Sequence, residues 1–427
     1  ISGTNGNIIK AGTGTLTLSG ANTYTGTTTI NAGDLTVSGS LHDSTAVTIA
    51  SGADYNVNAS DTVASIEGAG NIVIASSQTL TAGDGNDKTL SGVISGAGNY
   101  IKAGSGTQTL SASNTYTGTT QVSAGTLTVS GSGRLSDSTA VTVDSGAVYN
   151  VAVSDTVASI AGAGSITLGS NTLTSGGSDA STTFSGVISG TNGNIIKAGT
   201  GTLTLTGNNS YTGSTTISAG LLKIIRDDPT SYLAATSGFT GPGNLTIESS
   251  GDNFTADIVT GTHVQLAGTA LGNLIIGKTG NTRQIDLSSD ITTTGTQTYN
   301  GPVRLVGGDR TVSTTNSNVI FASTVNSDGT QRALTVTNGT GDTTFSGAIG
   351  GSAPVKSLTI TSDQLTAGAI TLNGALTATL GGSSSITGVI ANGASTANLV
   401  KAGSGTLTLS ASNTYTGTTQ VSAGTLT

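Results

Sequence analysis

The 427-residue sequence predicts an all-β protein of the parallel β-helix (β-solenoid) class, and three observations carry that prediction. One unit recurs four times: residues 101–128 read IKAGSGTQTLSASNTYTGTTQVSAGTLT, residues 400–427 repeat them with two changes, and looser copies begin at Ile9 and Ile196. Short runs such as Thr15-Leu16-Thr17-Leu18, Leu35-Thr36-Val37 and Ile72-Val73-Ile74 recur every 8 to 14 residues, most of them alternating an aliphatic side chain with Thr. That period of two is the mark of a strand with one face in a core and one in water. Long blocks also recur almost unchanged, which a sandwich of short strands does not require and a stack of coils does. With about 20 residues per coil and a rise of about 4.8 Å, the chain is expected to form a rod on the order of 100 Å long.

Composition narrows the class further. Charged residues are 8%, aromatics 3%, and Gly fills 65 positions; an ordinary globular domain carries about 25% charged residues. Disordered chains combine low hydrophobicity with high net charge, whereas here 34% of residues are hydrophobic and the net charge of −8 is spread thinly. No basic stripe follows a phosphate backbone, so nucleic acid is excluded as the expected partner. No apolar run reaches the length of a membrane-spanning helix. There is no Cys, which excludes only the small disulfide-stapled folds.

In chain order, residues 1–220 are read as tandem repeats of a long unit. Lys10, Lys102, Lys197 and Lys401 mark the KAG turn of each copy and stand 92, 95 and 204 residues apart. A second shared block begins at Asp43 (DSTAVTIASGADYNVNASDTVASIEGAG) and returns from Asp137, and SGVISG occurs at Ser91 and Ser185. Gly at the breaks supplies the positive-φ corners of tight turns. Residues 221–397 are read as a divergent stretch of the same solenoid, with a loop expected near 221–243. All four Pro and every Phe except Phe184 lie beyond Leu221. Residues 398–427 open a further copy. Both ends fall inside repeats, neither resembles a cap, and the chain has no Met, so it is read as a window of a longer polypeptide without obvious caps.

The pattern KAGxGTLTLSGANTYTGTTTI followed by AGTLTV resembles the passenger-associated strand repeat of bacterial autotransporters. TTTGTQTYNGPVRL from Thr292 and the stretch from Val319 resemble repeats of filamentous-haemagglutinin-like giant exoproteins. The resemblance implies a right-handed parallel β-helix, export across the outer membrane to the cell surface, and a structural or adhesive role as stalk, fibre or matrix former. It implies no particular ligand and no catalytic motif.

No residue pattern predicts an active site, a metal or a cofactor. His42-Asp43-Ser44 has the letters of a hydrolase triad, but adjacent residues cannot form its geometry, so a turn is expected. His263 is expected to be an exposed turn residue without a partner. Asp84, Asp87 and Lys88 in GDGNDK, and Arg226 with Asp227 and Asp228, are the nearest approach to a polysaccharide-lyase-like calcium and base cluster; each reads as a local polar loop. The repeat positions are structural candidates. Asn22, Asn114, Asn209 and Asn413 read as turn formers, and Tyr24, Tyr116, Tyr211 and Tyr415 as corner plugs rather than sugar-stacking platforms. Lys10, Lys102, Lys197 and Lys401 read as solubility and edge-blocking residues. The expected partners are other copies of the chain, joined even end to end, or surface glycans. A polysaccharide-binding or polysaccharide-lyase-like β-helix is the competing class.

Overall fold

The computed structural model describes residues 1–229, 238–266 and 271–427. Among the described residues every regular element is a strand of two to six residues, from Ile8–Lys10 to Thr425–Leu426. The chain divides into two compact units, Ile1–Ser214 and Thr215–Thr427.

In the first unit the strands stack in parallel ladders. One runs Ile8–Lys10, Thr28–Ile30, Ala46–Ile49, Ser65–Gly68, Lys88–Leu90 and on to Val187–Ser189. A second joins Asp61–Val63 to Thr79–Ala82, Asn99–Lys102, Thr120–Val122 and Ala140–Val143. A third holds Thr15–Leu18, Gly33–Val37, Ala53–Val57, Asn71–Ile74 and Ile94–Gly96. Partners stand about one coil apart, as Ile8 does opposite Thr28. Parallel pairing follows because each coil brings the chain back in the same direction, and the short sides leave room for only three to five residues per strand. This is a β-solenoid. Alternation inside each strand lays like residues over like: Leu35, Tyr55 and Ile72 share one buried row, and Val37, Val57 and Ile74 the next.

The second unit has the same construction. Its inward rows include Leu334, Leu358, Leu376 and Leu399. Tyr299, Phe321 and Phe345 occupy successive rungs and stack, with ring centroids 5.0 and 4.8 Å apart. Burying a large apolar side chain contributes about 1.5–3 kcal/mol, so stability accumulates coil by coil. The stretch expected to leave as a loop begins as a strand: Leu221–Ile225 pairs in register with Asn244–Glu248, and Phe239–Thr240 is a short strand. Residues 230–237 of that stretch lie outside the described residues.

The corners explain the glycines of the repeat. Gly104 (φ 67°) and Gly125 (φ 62°) are left-handed and stacked; a Cβ on Gly125 would come within 2.5 Å of the Gly104 oxygen. No other residue fits there without displacing the backbone.

Candidate functional site

The four repeat lysines are inside. Lys102 and Lys197 are 1% exposed, Lys401 0% and Lys10 6%, which overturns the expectation of solubility and edge-blocking residues. The strand dictates the direction: in Asn99–Lys102, Tyr100 points inward, Ile101 outward and Lys102 inward again. Its ammonium donates to the carbonyl oxygens of Ala103 (2.6 Å), Gly104 (2.9 Å) and Ala124 (3.0 Å). The first two belong to its own corner and the third to the corner of the next coil. Lys10 makes the same three bonds to Ala11, Gly12 and Ala32, and Lys401 to Ala402, Gly403 and Ala423. Lys197 donates to Ala198 and Gly199 at 2.6 and 2.8 Å. Burial of a cation is tolerated when its donors are satisfied, and three carbonyls match the three N–H bonds of an ammonium. Burial still lowers the basicity of Lys102, with Asp84 and Asp87 opposing the shift, and burial alone lowers that of Lys401.

The asparagines of the NxYTG motif tie neighbouring coils together. Asn114 accepts from the backbone N–H of Ile94 in the coil before (2.8 Å) and donates to Ala112 in its own and to Arg134 in the next (3.0 and 2.7 Å). Asn209 accepts from Ile188 and Asn413 from Ile390 at the same distance; Asn22 donates to Gly20 and Ser40 and accepts from the Ile1 terminal ammonium. Tyr24, Tyr116 and Tyr211 are buried to 1% exposure or less, so they present no ring face to a ligand. Tyr24 and Tyr116 bond the hydroxyls of Thr28 and Thr120, and the half-buried Tyr415 bonds Thr419 at 2.6 Å.

Two further sets were missed in the sequence. Asn7, Asn99, Asn194 and Asn398 each accept at 2.8 Å from the backbone N–H of Thr27, Thr119, Ser214 and Thr418 in the following coil. Their carboxamides crowd the motif's Gly: a Cβ on Gly118 would lie 2.6 Å from the Asn99 oxygen and 2.2 Å from the Gly98 oxygen. In the second shared block, Asp61 accepts from Tyr55 (2.7 Å) and from the backbone of Leu41 and Thr62. Asp155 accepts in the same way from Tyr149, Leu135 and Thr156. Burial raises both carboxyls above the usual range, and the hydrogen bonds pull them part of the way back. The constant spacing, Asp six residues after Tyr in both blocks, was the available signal.

The other polar candidates do not converge. His42 bonds Ser44 (2.8 Å) within a turn. His263 is half-buried and its Nδ1 accepts from the Val259 N–H (3.0 Å), correcting the reading of an exposed residue without a partner. Asp84 caps Asn86, Asp87 accepts from Thr107, and Lys88 pairs with Glu67 (3.0 Å). Asp227 is held by the Ser250 backbone and hydroxyl. Among the described residues no three His, Cys, Asp or Glu are grouped to hold a metal, and no helix is long and apolar enough to cross a membrane.

One outward face stands out in the second unit. In register, Thr311 and Ser313, Thr335 and Thr337, Thr359 and Thr361, and Thr377 and Thr379 form two parallel rows on four successive coils. Rungs are about 4.8 Å apart and side chains two residues apart along a strand share a face. The six hydroxyls from Thr335 to Thr379 make no hydrogen bond within the protein among the described residues. Their β-branched side chains have few rotamers, so the array is stiff. The rows themselves hold no charged side chain; Asp290 accepts from the Thr311 N–H (2.8 Å) at their edge, and Lys356 and Asp309 pair at the border at 3.3 Å.

Comparison with known proteins agrees with this construction. Residues 8–37, 101–129, 195–224 and 399–427 match the passenger-associated-transport repeat. A stretch of 146 residues, 32% of the chain, is 34% identical to the adhesin BmaC autotransporter of Brucella suis biovar 1 (strain 1330), of which it covers 4%. No solved structure matches the chain. The matched repeats lie outside residues 225–398, where the likeness to filamentous-haemagglutinin-like exoproteins remains an expectation. The four segments, each with its caged lysine and bridging asparagine, are passenger-associated-transport repeats, and the chain that carries them is exported to the bacterial cell surface.

Proposed function

We propose that this chain is a non-enzymatic, adhesive and structural segment of its passenger, a solenoid that displays uncharged hydroxyl faces to surface glycans. The observation that carries the reading is the double row of Thr and Ser from Thr311 to Thr379. Each hydroxyl contact is weak, but regularly spaced contacts on a stiff scaffold engage a repeating ligand together, and affinity then comes from number. The relative's description as an adhesin supports the same reading. Within the chain, residues 1–220 and 398–427 serve as the repeat scaffold and residues 221–397 as the divergent, ligand-facing stretch. A polysaccharide lyase would need an Arg or Lys base beside converging carboxylates; the carboxylates of GDGNDK and of Asp227 are engaged by local donors instead.

The test is binding of the 427-residue chain to a panel of uncharged insoluble polysaccharides, beside a triple variant Thr335→Val, Thr359→Val, Thr377→Val. Valine keeps the branched shape and removes the hydroxyl. A loss of tenfold or more in retention, with an unchanged circular dichroism spectrum, is expected. Equal retention of both proteins, or no retention of either, sinks the reading. Sedimentation that depends on concentration in the wild type alone would assign the same face to other copies of the chain.

A further inference from the structure

The caged lysines join coils in a way that the strand ladder does not. In three repeats the KAG corner of one coil stacks on the AG corner of the next, both with left-handed glycine: Gly12 and Gly33, Gly104 and Gly125, Gly403 and Gly424. The ammonium sits at that stack. In three copies its third carbonyl is seen to come from the following coil, through Ala32, Ala124 and Ala423. Asn99 and Asn114 add bonds across the same coils, to Thr119 and to Ile94 and Arg134. Ladder hydrogen bonds at a solenoid surface exchange readily with water as a coil peels away. An ammonium with 0–6% exposure cannot be hydrated until its neighbouring coil has already moved. Its cross-coil bond therefore breaks before water replaces it, and charge-assisted bonds are the strong ones.

We propose that each of these three repeats is a mechanical clamp, in which the buried lysine locks two successive coils and stops unravelling of the solenoid under tension. The three clamps divide the chain into segments that yield separately. A clamp needs no ligand, so the proposal stands apart from the glycan reading.

Single-molecule stretching of the whole 427-residue chain, held at its two ends at constant force, tests it. The wild type is expected to extend in steps with three long pauses, at extensions corresponding to the repeats of Lys10, Lys102 and Lys401. Lys102→Met, which preserves the stem and removes the ammonium, is expected to shorten one pause about tenfold and leave the others intact. Thr109→Val, an outward change in the same repeat, should alter none. Pauses that persist in Lys102→Met, or that fall between repeats in the wild type, overturn the proposal. Should Lys102→Met fail to fold, hydrogen exchange of the wild type decides the matter. Amides of residues 102–104 and 123–126 must exchange more slowly than those of residues 61–96, and equal rates overturn the clamp.

Discussion

Asp155 illustrates how a single buried group turns folding into a pH-dependent event. Its carboxylate accepts three hydrogen bonds, yet burial outweighs them and its affinity for a proton is raised. A group raised in the fold contributes stability that is fully present below its unfolded value, near 3.8, and is lost as pH rises through the higher folded value. Asp87 has the opposite sign. The Thr107 N–H lowers it, so its contribution is present above the unfolded value and is lost as pH falls through the folded one. Urea unfolding of the wild type and two variants should separate the two. The margin of wild type over Asp155→Asn is expected to shrink between pH 3 and pH 7, and the margin over Asp87→Asn to grow. At this scale the sequence was only partly legible. The alternation that sends Tyr100 and Ile195 inward sends Lys102 and Lys197 inward as well. Charge alone pointed the other way, because a lone lysine is usually solvated, and the three carbonyls that satisfy it come from corners 1, 2 and 22 residues away.

At the scale of the element, the strands were legible because period-two alternation reports both the element and its buried face. Leu358–Ser362 and Ala375–Leu380 alternate strictly, with Leu358, Ile360, Leu376, Ala378 and Leu380 inward and Thr359, Thr361, Thr377 and Thr379 outward. Register was not legible: it depends on which residues of neighbouring coils meet, and in residues 221–397 the coils have no repeated sequence to align. Leu221–Ile225 therefore read as the start of a loop, although Leu222 and Ile224 face Leu245 and Ile247 in the core. The aromatic stack is the sharpest consequence of register in this unit. Phe321 lies between Tyr299 and Phe345, nearly parallel to each at 10° and 3°. Phe321→Ala removes the middle ring and opens a cavity that rigid parallel rungs cannot close, so a loss of about 3–5 kcal/mol is expected. Thermal or urea unfolding followed by circular dichroism measures it. A loss below about 1 kcal/mol would mean that the coils collapse around the gap.

For the molecule as a whole, what surrounds the charges matters more than their sum. A net charge of −8 over 427 residues would give any partner recognised by charge a marked dependence on salt. The hydroxyl rows from Thr311 to Thr379 are uncharged; at their edge the Asp290 carboxylate is held by the Thr311 N–H, and Lys356 and Asp309 are paired with each other. Binding through this face should therefore be indifferent to salt and steeply dependent on the length of the ligand. Raising NaCl from about 0.05 to 0.5 M takes the screening length from well over 10 Å to a few ångströms and would weaken an ionic contact many-fold. Retention on an uncharged polysaccharide is expected to stay within about twofold over that range, while short soluble oligomers of the same sugar compete poorly because they engage too few rungs at once. Strong salt dependence would move recognition to the charged borders, such as Arg304 with Asp286 and Arg332 with Asp328, and away from the threonine face. Efficient competition by a mono- or disaccharide would instead require a compact pocket, which a flat face repeated every coil does not supply.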